Sequence, residues 1–482
     1  MVHIPGTIVT GALYGDEGKG KVTDVLTAES DIVVKWNGGA NAGTTYVIDG
    51  KQTILHLLPA GVMRGQRCLL ASDMVINAEG LEDEIGQIGG SVNLGIDPRA
   101  HVVLPYHISQ DLAMEMKRQK STGVKIGTTA QGIGPCYEDA HSRIGVRMCD
   151  LTGNPDSLEK KLRDNYQLKK GILEKVYGFE MMVPKGRKFG AELVPLQEQE
   201  FVDNTKRIGQ LLKQYVTDVS KEVRDSLPVK NILFQTSQGV LLDRTFGNYP
   251  MVTSSRPFPG GVFTSLGLPP QVFNSFGIVK AYMSKVGSGP VPTCLDAGQW
   301  PVDETKSTDL GKLIRKRGFE VGATTGRPRR VGWLDLVALK HSCDISGFTQ
   351  LALTKLDTLA DIGDLDICVA YYDPSQSHHD DGNLEVQVDT VKGHTITSRK
   401  GSKITTYYKD WDFDYLWNVK PVYLEIKGFS EQDVRKAKTF EELPEGAKEY
   451  VKTIENYVGI PVTLISIGPD RNDVILRNFK AF

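Results

Sequence analysis

The sequence has few of the features that mark several large protein classes. Only six of its 482 residues are cysteines, and none forms a Cys-x-x-Cys pair, so a zinc ribbon is not indicated. The 57 Lys and Arg nearly balance the 59 Asp and Glu, which argues against bulk nucleic acid or an anionic membrane as partner. No run approaches the ~20 apolar residues of a membrane span, and residues 1–15 lack a signal-peptide pattern. Together these absences predict a reduced, cytoplasmic protein.

What the chain does contain is typical of a large folded enzyme. Hydrophobic residues make up 40% and charged residues 24%, and there are 50 glycines, which allow tight turns and close approach to ligands. We find no internal repeat and no low-complexity linker. The composition therefore predicts one domain over residues 1–482.

Short apolar runs rich in β-branched residues predict buried strands. They occupy residues 7–13, 31–35, 101–104, 231–234, 351–353 and 462–466, and residues 20–26 between the first two form a candidate helix. Strand, helix and strand in that order indicate a βαβ unit. The predicted fold class is α/β, with a large, mostly parallel central sheet flanked by helices.

Two tracts depart from this pattern. Residues of about 151–230 are charged, and apolar residues recur at helical spacing, so we predict a mostly helical segment; examples are Ile208, Leu211, Leu212 and Tyr215. Residues of about 373–422 predict an extended insertion of β-strands and loops. Its His-His-Asp-Asp at 378–381 could bind a metal, but a solvated hairpin turn is the favoured interpretation.

The most informative segment is Gly-Asp-Glu-Gly-Lys-Gly-Lys at residues 15–21, directly after a predicted strand. Glycines leave backbone N–H groups free to surround phosphates, and a following helix adds partial positive charge. The segment is similar in logic to a P-loop, yet Leu13 stands in place of its first Gly and Gly20 in place of its Ser or Thr. Asp16 and Glu17 would repel a phosphate, so they need a Mg²⁺ ion or a proton-transfer role to explain them.

Here the sequence closely resembles the adenylosuccinate synthetase family. The matching motifs occur in the expected order along nearly the whole chain, at residues 15–21, 38–43, 55–59, 127–135, 252–255, 322–330, 353–357 and 466–471. The resemblance implies a GTP-dependent ligase that joins L-aspartate to C6 of inosine monophosphate (IMP) in purine biosynthesis. A base removes the N1 proton, O6 takes the γ-phosphoryl group, and the aspartate amine then displaces phosphate.

The resemblance also implies which residues take part. Asp16 matches the base and a Mg²⁺ ligand, and the Gly43 carbonyl matches a second metal contact. The implied catalytic residues are Asp16, Lys19, Gln238 and Thr44, the last in place of a family histidine. The implied GTP-binding residues are Gly15, Glu17, Gly18, Lys19, Gly20, Lys21, Gly43, Thr44, Thr45, Arg329, Lys355, Leu356, Asp357, Ser466, Ile467 and Gly468.

The two other substrates have their own implied residues. Hydroxyl, amide and guanidinium groups suit the phosphate of the acceptor nucleotide, and guanidinium groups suit the carboxylates of aspartate. Arg143 is implied to reach the site of the other subunit of a homodimer. The implied acceptor-nucleotide residues are Asp16, Asn41, Ala42, Thr129, Arg143, Gln238, Thr253 and Arg327. The implied aspartate-binding residues are Ala323, Thr324, Thr325, Gly326, Arg327 and Arg329.

The sequence departs from the family pattern at several positions. Thr44 replaces a histidine that donates to the phosphoryl group in transit, and a lost donor of this kind commonly costs ~10²–10³-fold in rate. Arg-Pro-Phe-Pro replaces the usual residues at 256–259, and Gln131 replaces a usual arginine. The tracts at 180–200 and 373–409 are longer than expected.

Three hypotheses about function remain open from the sequence. The favoured one is IMP–aspartate ligation with an altered catalytic pair. The alternative is a divergent paralogue with another acceptor, such as GMP or dGMP, forming 2-aminoadenylosuccinate. A non-catalytic nucleotide sensor is the third, and the retained Asp16, Lys19 and aspartate loop argue against it.

Overall fold

The computed structural model describes residues 6–482, except 49–50, 90, 124–125, 188–189, 297–300, 323–325, 375–385, 392–393 and 400–403. The predicted aspartate residues Ala323, Thr324 and Thr325 and the His-His-Asp-Asp motif at 378–381 therefore lie outside the described residues.

The strands of the described residues are, in chain order, β1 Gly6–Gly11, β2 Ile32–Lys35, β3 Thr44–Ile48, β4 Lys51–Leu55, β5 Arg67–Leu70, β6 Val75–Asn77, β7 Leu94–Ile96, β8 His101–Val103, β9 Met182–Pro184, β10 Leu193–Pro195, β11 Ile232–Gly239, β12 Asn274–Lys280, β13 Tyr282–Lys285, β14 Arg330–Asp335, β15 Gln350–Thr354, β16 Leu365–Tyr372, β17 Val386–Val391, β18 His394–Arg399, β19 Ile404–Thr405, β20 Lys420–Ile426, β21 Val462–Ser466 and β22 Val474–Leu476.

The α-helices of the same residues are α1 Lys19–Thr27, α2 Ala78–Ile88, α3 Pro105–Thr122, α4 Ile133–Ser142, α5 Met148–Leu151, α6 Pro155–Ile172, α7 Glu198–Leu212, α8 Val219–Ser226, α9 Gly261–Leu266, α10 Asp309–Arg317, α11 Leu336–Ser346, α12 Phe413–Asn418, α13 Glu431–Lys436 and α14 Glu445–Val458.

Nine strands form the central sheet, in the order β22-β21-β15-β12-β1-β11-β2-β5-β7. All neighbouring pairs are parallel except β21 and β22. Strands β1, β11 and β15 are buried along their whole length, as expected of apolar runs that are covered on both faces. Because parallel strands all end at the same edge of a sheet, the loops that follow β1, β2, β11, β12, β15 and β21 meet there.

The predicted fold class is confirmed, and the structure adds two details. Strands β1 and β2 are parallel and joined by α1, but β11 lies between them in the sheet. Strand β8, which matches the predicted run at 101–104, pairs with β6 outside the central sheet. An apolar run shows where a strand lies in the sequence. The neighbours of that strand in a sheet depend on contacts between residues that are far apart in the chain.

The charged tract at 151–230 is mostly helical, as predicted, and contains α6, α7 and α8. Ile208 and Leu212 of α7 are buried, whereas Leu211, which the same helical spacing includes, is 44% exposed. The periodicity included it because adjacent residues 211 and 212 are both apolar, although they point about 100° apart around the helix. A short antiparallel hairpin of β9 and β10 also lies in this tract.

The insertion at 373–422 contains the hairpin of β17 and β18, the short strand β19, α12 and the start of β20. Strands β19 and β20 both pair with β16 in a second sheet of order β13-β14-β16-β19. The interpretation of residues 1–482 as one domain stays a prediction. None of the described helices is both long and apolar enough to cross a membrane.

Candidate active site

The loop between β1 and α1 is shaped by two glycines and one inward-facing acid. Gly15 and Gly18 have φ values of +89° and +78°, which favour glycine. The Glu17 carboxylate accepts hydrogen bonds from the N–H groups of Leu13 (3.1 Å) and Gly15 (2.7 Å) and is only 3% exposed. The Glu17 side chain therefore supports the loop from inside, and only its backbone is available to a phosphate.

The first turn of α1 has free N–H groups that suit an anion. Gly18 precedes the helix without a side-chain cap, and the first turn carries no acid. The Lys19 ammonium donates to the Gly15 carbonyl (2.5 Å) and lies 3.6 Å from Glu17. A Cβ at Gly20 would lie 2.3 Å from the Thr45 carbonyl oxygen, so glycine is required for β3 to pack on α1. This packing brings the predicted residues Thr44 and Thr45 to the loop.

Lys21 reaches from α1 to the loop that follows β21. Its ammonium donates to the Ser466 hydroxyl (2.9 Å) and to the carbonyls of Gly468 (2.8 Å) and Asp473 (2.9 Å). Burial lowers the pKa of Lys21 to about 8. Lys21 thus connects α1 to the loop after β21, where the predicted residues Ser466, Ile467 and Gly468 lie. The part of Lys21 in GTP binding stays a prediction.

Asp16 belongs to a chain of buried and half-buried charges. Its carboxylate lies 3.0 Å from Arg329, which also contacts Glu320 at 3.1 Å. Glu320 is fully buried and accepts a hydrogen bond from Lys280 at 2.9 Å. Burial acts to raise the pKa of Glu320, but Lys280 and Arg329 overcome it and lower that pKa to about 2. Asp16 is the more accessible of the two acids, with 21% of its side chain exposed.

The Gln238 amide is held in one orientation at the end of β11. Its carbonyl oxygen accepts from the Asn37 amide (3.1 Å) and from the Ser255 hydroxyl (3.2 Å). Its Nε2 donates to the Asn41 side chain at 3.2 Å. A Cβ at Gly38 would lie 3.0 Å from that nitrogen, so glycine allows the close approach. The structure therefore brings together Gln238 and Asn41, two predicted acceptor residues.

Two loops meet beside this group. The Arg327 guanidinium donates to the carbonyls of Gly127 (3.0 Å) and Thr128 (3.1 Å), next to the predicted residue Thr129. Glu115 of α3 accepts from the backbone N–H of Gly127 at 2.6 Å. Arg327 follows Gly326, whose φ of +65° turns the chain back. The segment at 127–129, which carries a predicted acceptor-nucleotide residue, is thus in direct contact with Arg327 of the predicted aspartate loop.

Arg143 is exposed and directly follows α4, the helix that begins at Ile133, four residues after Thr129. Ten helical residues span about 15 Å, so Arg143 is separated from the start of α4 by the length of that helix. Thr253 is held by its backbone N–H, which donates to the Leu242 carbonyl at 2.8 Å. Its neighbour Ser255 contacts Gln238, which connects this segment to the site.

The predicted GTP-binding residues Lys355, Leu356 and Asp357 follow β15. Lys355 has a φ of +62°, and its ammonium donates to the Gly318 carbonyl at 3.0 Å. Leu356 is buried. One oxygen of Asp357, Oδ2, lies 3.1 Å from Arg435, and the other, Oδ1, is buried without a hydrogen-bond partner in the described residues. Burial raises the pKa of Asp357, and Arg435 opposes this effect.

Sequence reasoning missed several residues that hold the site together. Asn37 lies two residues after the end of β2, so the rule that ligands bind at the ends of parallel strands could have identified it. The buried ions Lys280 and Glu320 carry no motif, and only the contacts identify them. Ala42 and Gly43 are half-buried between Asn41 and β3, as their motif requires.

Comparison with known proteins gives a consistent result. The family model described as adenylosuccinate synthetase matches residues 8–475. The adenylosuccinate synthetase of Caldanaerobacter subterraneus subsp. tengcongensis is 38% identical over 485 residues, covering 98% of this chain and 99% of the relative. That of Lysinibacillus sphaericus is 39% identical over 471 residues, covering 96% of each chain.

Solved structures agree in fold. The fully ligated adenylosuccinate synthetase of Plasmodium falciparum superposes with a TM-score of 0.82 at 32% identity, covering 98% of this chain and 99% of that one. A cyanophage S-2L succinoaminodeoxyadenylate synthetase bound to dGMP and dATP superposes with a TM-score of 0.54 at 16% identity, covering 98% of this chain and 96% of that one. At this identity the likeness shows the fold alone. Because a family match over 8–475 is joined by relatives that align along nearly their whole length, the chain belongs to the adenylosuccinate synthetase family and is a ligase that uses GTP to join aspartate to IMP.

Proposed function

We propose that the loop at 12–18, the Gln238 amide and the loop at 322–329 carry the two steps of this reaction. The contact between Asp16 and Arg329 (3.0 Å) carries the proposal. It joins the candidate base and the candidate aspartate loop beside the free N–H groups of α1. Phosphoryl transfer needs positioning and charge neutralisation more than covalent help, and this arrangement offers both.

In the first step, the Asp16 carboxylate accepts the N1 proton of IMP. The electron pair left on the ring gives O6 its negative charge, and O6 attacks the γ-phosphorus of GTP while GDP leaves. Lys19 and the first N–H groups of α1 neutralise the phosphate oxygens, and the Thr44 hydroxyl is the donor in the place of the family histidine. The Gln238 amide, fixed by Asn37 and Ser255, orients the purine.

In the second step, the amine of aspartate attacks C6 and inorganic phosphate leaves. Arg327 and Arg329 hold the two carboxylates of aspartate, since guanidinium groups bind carboxylates through paired hydrogen bonds. Arg329 is already fixed by Glu320, which restricts its orientation. Asn41, Ala42, Thr129 and Thr253 lie around the phosphate of the acceptor nucleotide.

The residues present suit a Mg²⁺ ion that arrives with GTP. Among the described residues there is no group of three or more His, Cys, Asp or Glu side chains able to hold a metal by themselves. Mg²⁺ commonly binds one or two carboxylates together with substrate phosphates and water. Asp16 and the Gly43 carbonyl would hold it, and when bound it would neutralise charge on the phosphate oxygens.

The active form is proposed to be a homodimer in which Arg143 completes the partner's site. Its exposure at the far end of α4 supports this arrangement. Asp16→Asn and Arg143→Leu should each be nearly inactive alone. Mixed after dissociation and reassociation, they should regain about a quarter of the wild-type rate, because half of the dimers then carry one intact site. Absence of recovery would contradict the shared site.

The reaction itself is tested by phosphate release. Purified protein with Mg²⁺, GTP and aspartate should release phosphate when IMP is added, and omission of aspartate should abolish the formation of adenylosuccinate. A panel with IMP, GMP and dGMP decides the acceptor. Release with GMP or dGMP but not with IMP would contradict the proposal.

A further inference from the structure

Asp357 leaves one half of its carboxylate unused. Oδ1 is buried and accepts no hydrogen bond from the described residues, whereas Oδ2 contacts Arg435 at 3.1 Å. A buried acceptor without a donor is costly, and more so when it is charged. Oδ1 can therefore still accept a hydrogen bond from a bound ligand. The N1–H and 2-amino groups of guanine are donors of the right kind.

Arg435 is itself held in place by two further features. Its Nε donates to Glu431 one helical turn earlier at 2.6 Å, so its guanidinium bridges two carboxylates. The start of α13 is attached to the segment that follows Asp357, because the Glu431 N–H donates to the Asp361 carboxylate at 3.1 Å. Val434 of the same helix is fully buried. These contacts fix the position of α13, and with it Arg435, relative to the Asp357 carboxylate.

Charge strengthens the same argument. Burial raises the pKa of Asp357 and so disfavours its ionised form. Arg435 opposes this effect most strongly, and Lys355 and Lys21 oppose it less strongly. Lys355 and Lys21 use their ammonium groups on backbone carbonyls and the Ser466 hydroxyl. Arg435 donates to the carboxylate itself at 3.1 Å, so its planar fork can fix the plane of the two oxygens.

We infer that Arg435 is a positioning residue for the guanine-reading carboxylate: it orients Asp357 so that both donors on the guanine edge are recognised, and it thereby sets the preference for guanine over hypoxanthine and adenine. The inference rests on the proposed role of Asp357 in binding the guanine of GTP. Arg435 lies on the solvent side of Asp357, with 43% of its side chain exposed, and acts through that residue.

The test is equilibrium binding of GDP, IDP and ADP to the full-length protein, which needs no turnover. IDP lacks the 2-amino group, so the GDP-to-IDP affinity ratio reports two-point recognition. Arg435→Gln should weaken GDP binding about tenfold and IDP binding much less, so the ratio falls. Arg435→Lys should recover only part of the ratio, because an ammonium has no planar fork. Lys436→Gln, the same charge change one residue later, should leave the ratio unchanged.

The outcomes separate the two claims. If the wild type binds ADP as tightly as GDP, the proposed guanine site at Asp357 is wrong. If the wild type prefers GDP and Asp357→Asn loses that preference while Arg435→Gln keeps it, only the role of Arg435 is overturned. Should Arg435→Gln fail to fold, Glu431→Gln removes the second anchor of Arg435 and should lower the ratio by about threefold; an unchanged ratio there contradicts the inference.

Discussion

The GTP-phosphate side of the site and the acceptor side are held in different ways. On the phosphate side, the buried Glu17 carboxylate fixes the backbone of its loop from within, and Lys21 joins α1 to the loop after β21. On the acceptor side, two loops meet through one guanidinium, that of Arg327, on two carbonyls. The phosphate loop is therefore fixed from the core. The two loops of the acceptor side are joined through the half-buried Arg327, beside the buried group of Gln238, Asn37 and Ser255. The difference indicates that changes on the two sides should affect different kinetic constants.

The largest expected effect belongs to the residue that serves both sides. Asp16→Asn should lower kcat about 10³-fold, because an amide cannot accept the N1 proton. GDP binding should persist, since Lys19 and the N-terminus of α1 remain. Steady-state kinetics and GDP titration measure the two effects. Glu29→Gln, an exposed acid just beyond the same helix, is the control, and product formation at the wild-type rate in Asp16→Asn would rule out the mechanism.

The next effect concerns Glu320, which lies behind Arg329 and Lys280. Its folded-state pKa of about 2 lies below its ordinary value of 4.5, so its ionised form stabilises the fold above pH 4.5. That contribution, on the order of 3 kcal/mol, should be lost as pH falls from 4.5 towards 2. Urea unfolding at several pH values should show this loss in the wild type and a smaller pH dependence in Glu320→Gln. The exposed Glu445→Gln should behave as the wild type, and parallel curves for all three would exclude a depressed pKa at Glu320.

Arg327→Leu separates the two sides directly. It removes the contacts with the Gly127 and Thr128 carbonyls, so the KM for aspartate should rise roughly 30-fold. The KM for GTP should stay within about twofold, because the phosphate side has its own supports. Lys316→Met on the exposed face of α10 is the matched control. Equal increases in both KM values would mean that the two sides are not independently held.

The smallest expected effect concerns Thr44, the departure on the phosphate side. Thr44→His should raise kcat with IMP by about tenfold by restoring a donor to the phosphoryl group. Thr45→His, whose side chain points to the opposite face of β3, should not. Thr44 is only 8% exposed, so thermal unfolding must confirm that the imidazole is accommodated. A lower or unchanged kcat in a folded variant would mean that another group already acts as donor.

The sequence predicted the strands and the loops better than it predicted the direction of side chains. Apolar runs identified β1, β2, β11, β15 and β21, because strands buried on both faces leave a continuous hydrophobic pattern. The motif at 15–21 correctly marked a glycine turn before a helix. It could not show that Glu17 turns inward and Lys21 reaches the loop after β21, because both depend on partners that the motif does not contain.

The buried ion pair of Lys280 and Glu320 could not be predicted from the sequence for a related reason. Lys280 and Glu320 lie 40 residues apart, and neither belongs to a motif, so only the folded chain pairs them. Leu211 shows the converse limit, since an apolar residue beside the buried Leu212 satisfies the pattern yet faces solvent. A hydrophobic pattern identifies the buried face of a helix or strand as a whole. Whether a single side chain at the edge of that face is buried depends on local packing.

The three hydrogen bonds of Lys21 join residues that are 445–452 positions apart. A ribosome that has released α1 must therefore synthesise most of the remaining polypeptide before Lys21 can meet its partners. During synthesis, these three bonds can all form only after residue 473 has left the exit tunnel, so the helix and the last loop of the sheet are joined at the very end of translation.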